Sequence, residues 1–258
     1  MQKLDYSPRF YQSIHADSAV SAKAVAPLLV RLFAPQSLVD VGCGAGAWTR
    51  ALKDAGVPAV LGIDGDEVKT GQLVIAPAEF QRHDLTQPLR LNRRFDLALS
   101  LEVGEHLPPE RAQSFVADLC RLSDAVVFSA AVPGQGGTHH LNEQWPSYWI
   151  AHFQGCGYAV ADCLRPQLWH NTDVAWWYRQ NMLVFIQGNQ LEKFKAVIEL
   201  GRQRFPPDVV HPQAYITATV PREMSPRMIK NVLQALPHFP GKVLLYLKKV
   251  RGAKPGGT

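Results

Sequence analysis

Four carboxylates, three glycines and three histidines in this chain have the types and spacing to do chemistry together. Asp40, Asp64, Asp84 and Glu102 each sit at or just past the end of a short apolar run. Gly42, Gly44 and Gly46 follow the first run at alternate positions. Glycine lacks a Cβ and tolerates positive φ, so this turn lets bare backbone approach a nucleoside closely. A carboxylate such as Asp64, 24 residues beyond Asp40, accepts two hydrogen bonds from a ribose diol. Asp84 is suited to accept from an adenine amino group, with Leu85 packing on the base. His106 follows the fourth run, and His139 and His140 follow the fifth. Histidine titrates near neutrality, which makes these three the candidates to take a proton from an acceptor, with Glu105 beside them.

The elements that must position these residues follow from the apolar patterning. Strands are predicted over 37–41, 59–63, 79–83, 95–101, 125–131, 158–164 and 182–187. Helices are predicted over 20–33, broken at Pro27, and over 48–55, 108–122 and 143–156. Alternating strands and helices imply an α/β chain with an open, doubly wound, mostly parallel sheet of seven strands. Right-handed crossovers put every strand's C-terminal end on one edge, where ligands of such sheets bind near the switch point. Three regions are expected: an N-terminal helical lid over 1–35 carrying Tyr6, Phe10 and Tyr11, the sheet domain over 36–189, and an appendage over 190–258. In the appendage the sequence predicts helices over 191–204 and 226–236, an apolar run over 243–247 and a linker near 205–212.

Composition bounds the function classes. The chain has 258 residues and four scattered cysteines with no CxxC pair, which argues against a disulfide framework or a cysteine zinc site. No apolar run reaches the ~18 residues of a membrane span, and the first thirty residues lack an apolar leader core. The expected setting is soluble, reducing and cytoplasmic. The net charge of +5 is uneven: residues 190–258 hold 12 Lys/Arg and 4 acids, so that part is basic and the remainder slightly acidic. Dispersed charge of this kind is a solvated surface more often than a nucleic-acid footprint.

The set resembles the class I S-adenosylmethionine-dependent methyltransferases over roughly residues 36–188. The carriers are Val39-Asp-Val-Gly-Cys-Gly-Ala-Gly, Gly62-Ile-Asp-Gly, Arg82-His-Asp-Leu and Phe95-Asp-Leu-Ala-Leu-Ser-Leu-Glu-Val-Gly-Glu-His-Leu. The last run is similar to the small-molecule branch. The stretches 136–149 and 176–181 are similar to those of uncharacterised bacterial members. The resemblance implies a Rossmann-like methyltransferase fold and S-adenosyl-L-methionine as cofactor. By position, it implies that Asp40, Gly42, Cys43, Gly44 and Gly46 line the methionine part of that cofactor. Asp64 and Gly65 would hold the ribose, Asp84 and Leu85 the adenine, and Leu101 and Glu102 the neighbourhood of the sulfonium. Gly104 departs from the pattern, where bulkier residues are common, and is expected to loosen its turn.

A nicotinamide or flavin dehydrogenase is the rival for the glycine motif, since Ala47 makes G-x-G-x-x-Ala formally possible. Asp40, Asp84 and Glu102 favour the methyltransferase, because a dinucleotide fold does not require them. The expected activity is methyl transfer to an oxygen or nitrogen of a small-molecule acceptor, with a histidine as base. A nucleic-acid methyltransferase using the basic C-terminal part is disfavoured, since no Asn-Pro-Pro-Tyr follows the fourth strand. A non-catalytic adenosyl-binding protein is the third reading. No metal is expected: Glu105, His106, His139 and His140 lack an i, i+4 pair and cysteine support. Trp145, Tyr148 and Trp149 have core spacing, whereas Trp176, Trp177 and Tyr178 are the better pocket candidates. The appendage is expected to be either a cap over the site or an oligomer contact, such as that of a homodimer.

Overall fold

Seven strands form one sheet in the computed structural model, which describes residues 8–202 and 205–219, with side chains from residue 17 to residue 218. The strands are β1 (Ser37–Val41), β2 (Ala59–Asp64), β3 (Phe80–Arg82), β4 (Leu97–Leu101), β5 (Ala125–Ser129), β6 (Tyr158–Ala161) and β7 (Leu183–Gln187). Their order is β3-β2-β1-β4-β5-β7-β6. The first five lie parallel, with Asp40 level with Gly62 on one side and Leu99 on the other. β7 runs antiparallel to both β5 and β6. The expectation that every strand brings its C-terminal end to the rim therefore needs correcting. β7 brings its N-terminal end there, so the residues just before it belong to the same edge.

Both faces of the sheet are covered, which is why β4 and β5 are apolar at nearly every position. Side chains alternate across a strand. Leu97, Leu99, Val127 and Val184 thus pack beneath α1 (Pro8–Phe33) and α2 (Ala47–Asp54), against Val25, Leu29 and Leu52. Ala98, Val126, Phe128 and Phe185 pack on the other face beneath α3 (Ala112–Leu122) and α4 (Pro146–Gly155), against Phe115, Leu119, Trp149 and Phe153. Three shorter helices follow, α5 (Arg165–Leu168), α6 (Trp176–Asn181) and α7 (Lys195–Leu200), and then α8 (Pro212–Thr219).

Several elements differ from expectation for local reasons. α1 continues through Pro27 rather than breaking there. Ser18 and Ser21 tie this helix to the body, through the Tyr178 hydroxyl at 3.0 Å and the Ala175 amide at 2.9 Å. Tyr6 lies outside the described residues, and the side chains of Phe10 and Tyr11 do too. α4 starts at Pro146 rather than residue 143, because Glu143 turns back to bind the amides of Gly134 and Gly136. The expected helix over 191–204 is shorter, Lys195–Leu200.

The chain divides into one unit over 1–215 and a second over 216–258, of which only 216–219 belong to the described residues. The predicted helix over 226–236 and apolar run over 243–247 lie outside them. Of the expected linker over 205–212, residues 205–211 are pinned to the first unit and Pro212 starts α8. Arg165 donates to the carbonyls of Pro206 and Pro207, Phe205 packs on Trp169, and the His211 amide donates to Gln180.

Candidate active site

The glycine turn is built by close packing below and open space above. Gly42, Gly44 and Gly46 all have positive φ, at 83°, 54° and 90°. A Cβ on Gly42 would stand 2.3 Å from Val103 Cγ2, and one on Gly46 2.9 Å from Ile75 Cγ1. Over Gly44 no atom of the described residues, its chain neighbours aside, lies within 4 Å of that position. The middle glycine therefore shows bare backbone to the rim, while its neighbours lock the turn onto the residues after β4 and β2. Cys43 is buried in the same turn, where its thiol donates to the Gly44 carbonyl at 3.3 Å. It also closes over Gly62, whose Cβ would meet its sulfur at 2.7 Å.

Asp40 and Asp64 stand on either side of this turn. Asp40 is buried beneath it and accepts from the Thr49 hydroxyl at 2.8 Å. Burial drives its pKa up to about 7, against the pull of Thr49 and helped by the charge of Asp64. Asp64 ends β2 and accepts from the Gly44 amide at 2.5 Å and the Gly65 amide at 2.7 Å. Burial again raises its pKa, to about 6, although those two amides pull the other way. Two carboxyls that resist ionisation flank one open peptide, an arrangement that favours a cationic ligand or one rich in hydroxyl donors.

Asp84 follows β3 and is exposed. Its Oδ1 accepts from the Thr86 amide and hydroxyl at 2.9 and 2.7 Å, and those bonds hold its pKa below the usual range. Leu85 beside it is buried. Asp84 is thus separate from the buried pair, on the outer side of the rim.

The second half of the site lies after β4 and β5. Leu101 is buried at the end of β4, and Glu102 follows it with φ 56°, a left-handed conformation for a side chain with a Cβ. Such backbone strain persists only when the surroundings fix it, and it concentrates at functional sites. Here the Glu102 amide donates to the Ser129 carbonyl at 2.9 Å. Its Oε2 accepts from Gln135 at 2.8 Å and its Oε1 from Asn181 at 3.2 Å. Burial pushes the Glu102 pKa up despite these bonds.

Glu105 lies in the turn Gly104–His106 and is 1% exposed. Its backbone carbonyl accepts from the amides of Leu141 and Asn142, which stitches the loop after β5 to the turn after β4. Burial and then the Glu102 charge raise its pKa well above the ordinary value. Its Oε2 has no hydrogen-bond partner among the described residues. The His106 and His140 rings meet edge to face at 4.9 Å. His140 Nδ1 lies 2.7 Å from Glu143 Oε1. Partial burial, then the neighbouring His140, hold the His106 pKa below its usual value, although the residue keeps an exposed edge. His139, exposed and next to His140, has φ 59°.

The structure thus brings Glu102, Glu105, His106 and His140 together from two loops. One ligating atom each of Glu105, His106 and His140 lies within 4.8 Å of the others. The absence of an i, i+4 pair could not reveal this, since the cluster is assembled across strands. Gly104 does not loosen its turn. A Cβ there would stand 2.8 Å from the Trp149 ring, so glycine is what lets that buried indole pack beneath the site.

Sequence reasoning missed Gln135 and Asn181, which hold Glu102, and Glu143, which holds the glycine loop. For Asn181 the missing signal was the direction of β7. Tyr178, expected as a pocket wall, is buried; its hydroxyl lies 3.0 Å from the Ser18 hydroxyl and accepts from the Trp48 indole at 3.3 Å. Trp176 and Trp177 are half-buried, and Trp145 is exposed. A separate apolar groove of about 800 Å³ runs between α1 and α2, lined by Ala26, Pro27, Ala45, Ala51 and Val74. None of the acidic or histidine residues of the rim lines it. No helix among the described residues is long and apolar enough to cross a membrane.

A family model described as a methyltransferase domain matches residues 14–179, more than half of the chain. The chain belongs to this methyltransferase family. The match takes in the glycine turn, all four strand-end carboxylates and the histidine cluster. Among curated proteins the methyltransferase is similar to a probable chloroplastic tocopherol O-methyltransferase of Oryza sativa subsp. japonica. The two are 33% identical over 97 residues, which cover 34% of this chain and 26% of that protein, so the match spans about a quarter of that relative. Among solved structures it is similar to the sugar N-methyltransferase KedS8 from Streptoalloteichus sp ATCC 53650. The TM-score is 0.51 at 16% identity, covering 72% of this chain and 97% of that one. It is also similar to magnesium protoporphyrin IX methyltransferase from Synechocystis PCC 6803 with bound SAM. There the TM-score is 0.50 at 20% identity, with coverage of 72% and 86%. At these identities the two structures speak for the fold.

Proposed function

We propose that this chain transfers a methyl group from S-adenosyl-L-methionine to an oxygen or nitrogen of a small-molecule acceptor. The observation that carries the reading is the shared rim: the open peptide at Gly44 and the Asp64 carboxylate lie beside a cluster of the buried Glu105 with His106 and His140 on neighbouring strand ends. The residues present fit the cofactor, because the space over Gly44 is clear of the other described residues and Asp64 holds two oxygens at the sheet edge. When bound, the cofactor supplies an activated methyl group on a sulfonium.

The chain's own residues then have distinct tasks. Asp64, with Gly65, accepts from the ribose hydroxyls on the lone pairs that its two amide partners leave free. Asp40, Gly42, Cys43, Gly44 and Gly46 form the floor under the methionine part, with Asp40 acting through its charge from beneath the turn. Asp84 offers its second carboxylate oxygen to the adenine, and Leu85 gives that base an apolar wall. Leu101 and Glu102 border the sulfonium, where a carboxylate held by Gln135 and Asn181 favours positive charge.

The acceptor approaches over the loops after β4 and β5. Its proton is taken at the His106–His140 pair, with His139 and Glu105 shaping the loop and the floor. In this reading a planar or sugar-like acceptor packs on the half-buried Trp176 and on the free part of Trp177, whose remainder packs against the core. The relatives' names, a tocopherol O-methyltransferase and a sugar N-methyltransferase, fit both atom types. A homodimer contact through residues 190–258 belongs to the same reading and is checked by sedimentation of the full chain.

The test is transfer of labelled methyl to a panel of phenols, catechols, amino sugars and carboxylic acids. Time-dependent labelling of at least one class, lost in His106→Ala, is expected. If labelled cofactor binds and no acceptor class is labelled, the chain is an adenosyl-binding protein. If duplex or single-stranded nucleic acid alone is labelled, the small-molecule reading is wrong.

A further inference from the structure

We infer that Glu105, His106 and His140 form a binding site for one divalent transition-metal ion at the acceptor side of the rim. The inference deepens the proposed function and rests on it for its role, though not for its geometry.

Three observations point to an ion. The first is the donor set: one carboxylate and two imidazoles whose ligating atoms lie within 4.8 Å of one another. Donors bound at about 2.1 Å stand roughly 3–4 Å apart, so an inward shift of about 1 Å closes the set. The second is Glu105, which is 1% exposed yet leaves Oε2 without a partner. A buried oxygen left unpaired is costly, and native proteins pair such groups or explain them. Among the described residues, no lysine or arginine is ion-paired with Glu102, Glu105 or Glu143. The third is the outer shell. Each ring is oriented by a further partner, His140 by the Glu143 carboxylate at 2.7 Å and His106 by a hydrogen bond with the backbone of His139. Ligating histidines are typically fixed in this way, one ring nitrogen on an oxygen and the other on the ion.

The backbone around the cluster is built to hold it. Glu102 and His139, two residues in the left-handed region, bracket the turns that carry the three donors. The amides of Leu141 and Asn142 on the Glu105 carbonyl lock the two loops together. Two histidines and one carboxylate suit Mn²⁺, Fe²⁺, Co²⁺ or Zn²⁺ and leave positions open. An acceptor hydroxyl on an open position would be oriented toward the rim and made more acidic, its proton leaving to bulk water and its oxygen keeping the electron pair that takes the methyl group. The rings would then activate it through the ion rather than by taking the proton themselves.

The experiment uses the full, untagged chain, stripped with a chelator. Mn²⁺ binding is followed by electron paramagnetic resonance and Co²⁺ binding by its visible spectrum, with metal content by mass spectrometry. One ion per chain is expected, with affinity falling at least fiftyfold in His140→Ala and in the near-isosteric Glu105→Gln. His106→Ala, at an exposed position, gives the same loss without a folding risk. Circular dichroism checks each variant. Binding of no ion at 100 µM metal, or binding unchanged in all three variants, overturns the inference. Methyl transfer that persists in chelator, with no ion bound, leaves the methyltransferase reading standing and removes this one. An ion bound at these residues without any methyl transfer does the reverse.

Discussion

Raising the pH from 6 to 8 is expected to tighten S-adenosylmethionine binding about twentyfold. The ligand carries positive charge and donates ribose hydroxyls, so it prefers Asp40 and Asp64 ionised. Their pKa values in the free protein are about 7 and about 6. At pH 6, ionising Asp40 therefore costs about a tenfold factor and Asp64 about twofold, and both factors approach one at pH 8. The product is about 1.8 kcal/mol. Near pH 6.5 binding releases about one proton, measurable by titration calorimetry in two buffers of different ionisation enthalpy. The Asp64→Asn variant should shrink the pH span to about tenfold. The same pKa values fix the sign for stability. Each carboxyl binds its proton more tightly folded than unfolded, where the value is 3.8. The folded chain thus holds more protons between pH 4 and 7, and the ligand-free protein loses stability as pH rises through that window. Affinity that stays within twofold from pH 6 to 8, with no proton released, would refute the placement of these two carboxyls around the ligand.

Other expectations follow from single contacts. Asp64→Ala should weaken S-adenosylhomocysteine binding by at least tenfold with the fold intact by circular dichroism, since hydrogen bonds to a charged group contribute about 1.5–3 kcal/mol. Gly42→Ala should destabilise by about 2–5 kcal/mol in denaturant unfolding. The left-handed backbone costs an alanine about 1–2, and overpacking against Val103 adds about 1–3; Val103→Ala should recover only the second part. Asn181→Ala, which removes a donor from Glu102, should lower kcat about tenfold while KM for the acceptor changes little. Arg165→Ala leaves Asp162 buried without its two bonds at 3.0 and 2.8 Å, and should cost about 3–5 kcal/mol by thermal unfolding.

Much of the sheet is legible in the sequence because apolar strand cores and polar strand ends alternate sharply. Asp40, Asp64, Asp84 and Glu102 stand where their runs predict, each just at or past a parallel strand. What was not legible depends on chain direction and on contacts between distant segments. Nothing in the apolar run 183–187 reveals that β7 is reversed, so Asn181 could not be placed at the rim. Glu143 has the right type for a helix start, yet it is drawn off to the amides of Gly134 and Gly136. Gly104 looks like a loosened turn until Trp149 is seen against it. The triad of Glu105, His106 and His140 shares no helical period, because its members meet only when β4 and β5 lie side by side.

The central claim is that the strand-end rim, from Asp64 past Gly44 to Glu102, holds an adenosyl ligand with its sulfur toward the histidine cluster. A crystal structure with S-adenosylhomocysteine bound tests it most directly. The ribose hydroxyls should lie on Asp64, and the sulfur should face the side of Glu102 and His106. Density for the ligand in the groove between α1 and α2, or anywhere that leaves Asp64 without a ribose hydroxyl, would contradict the account.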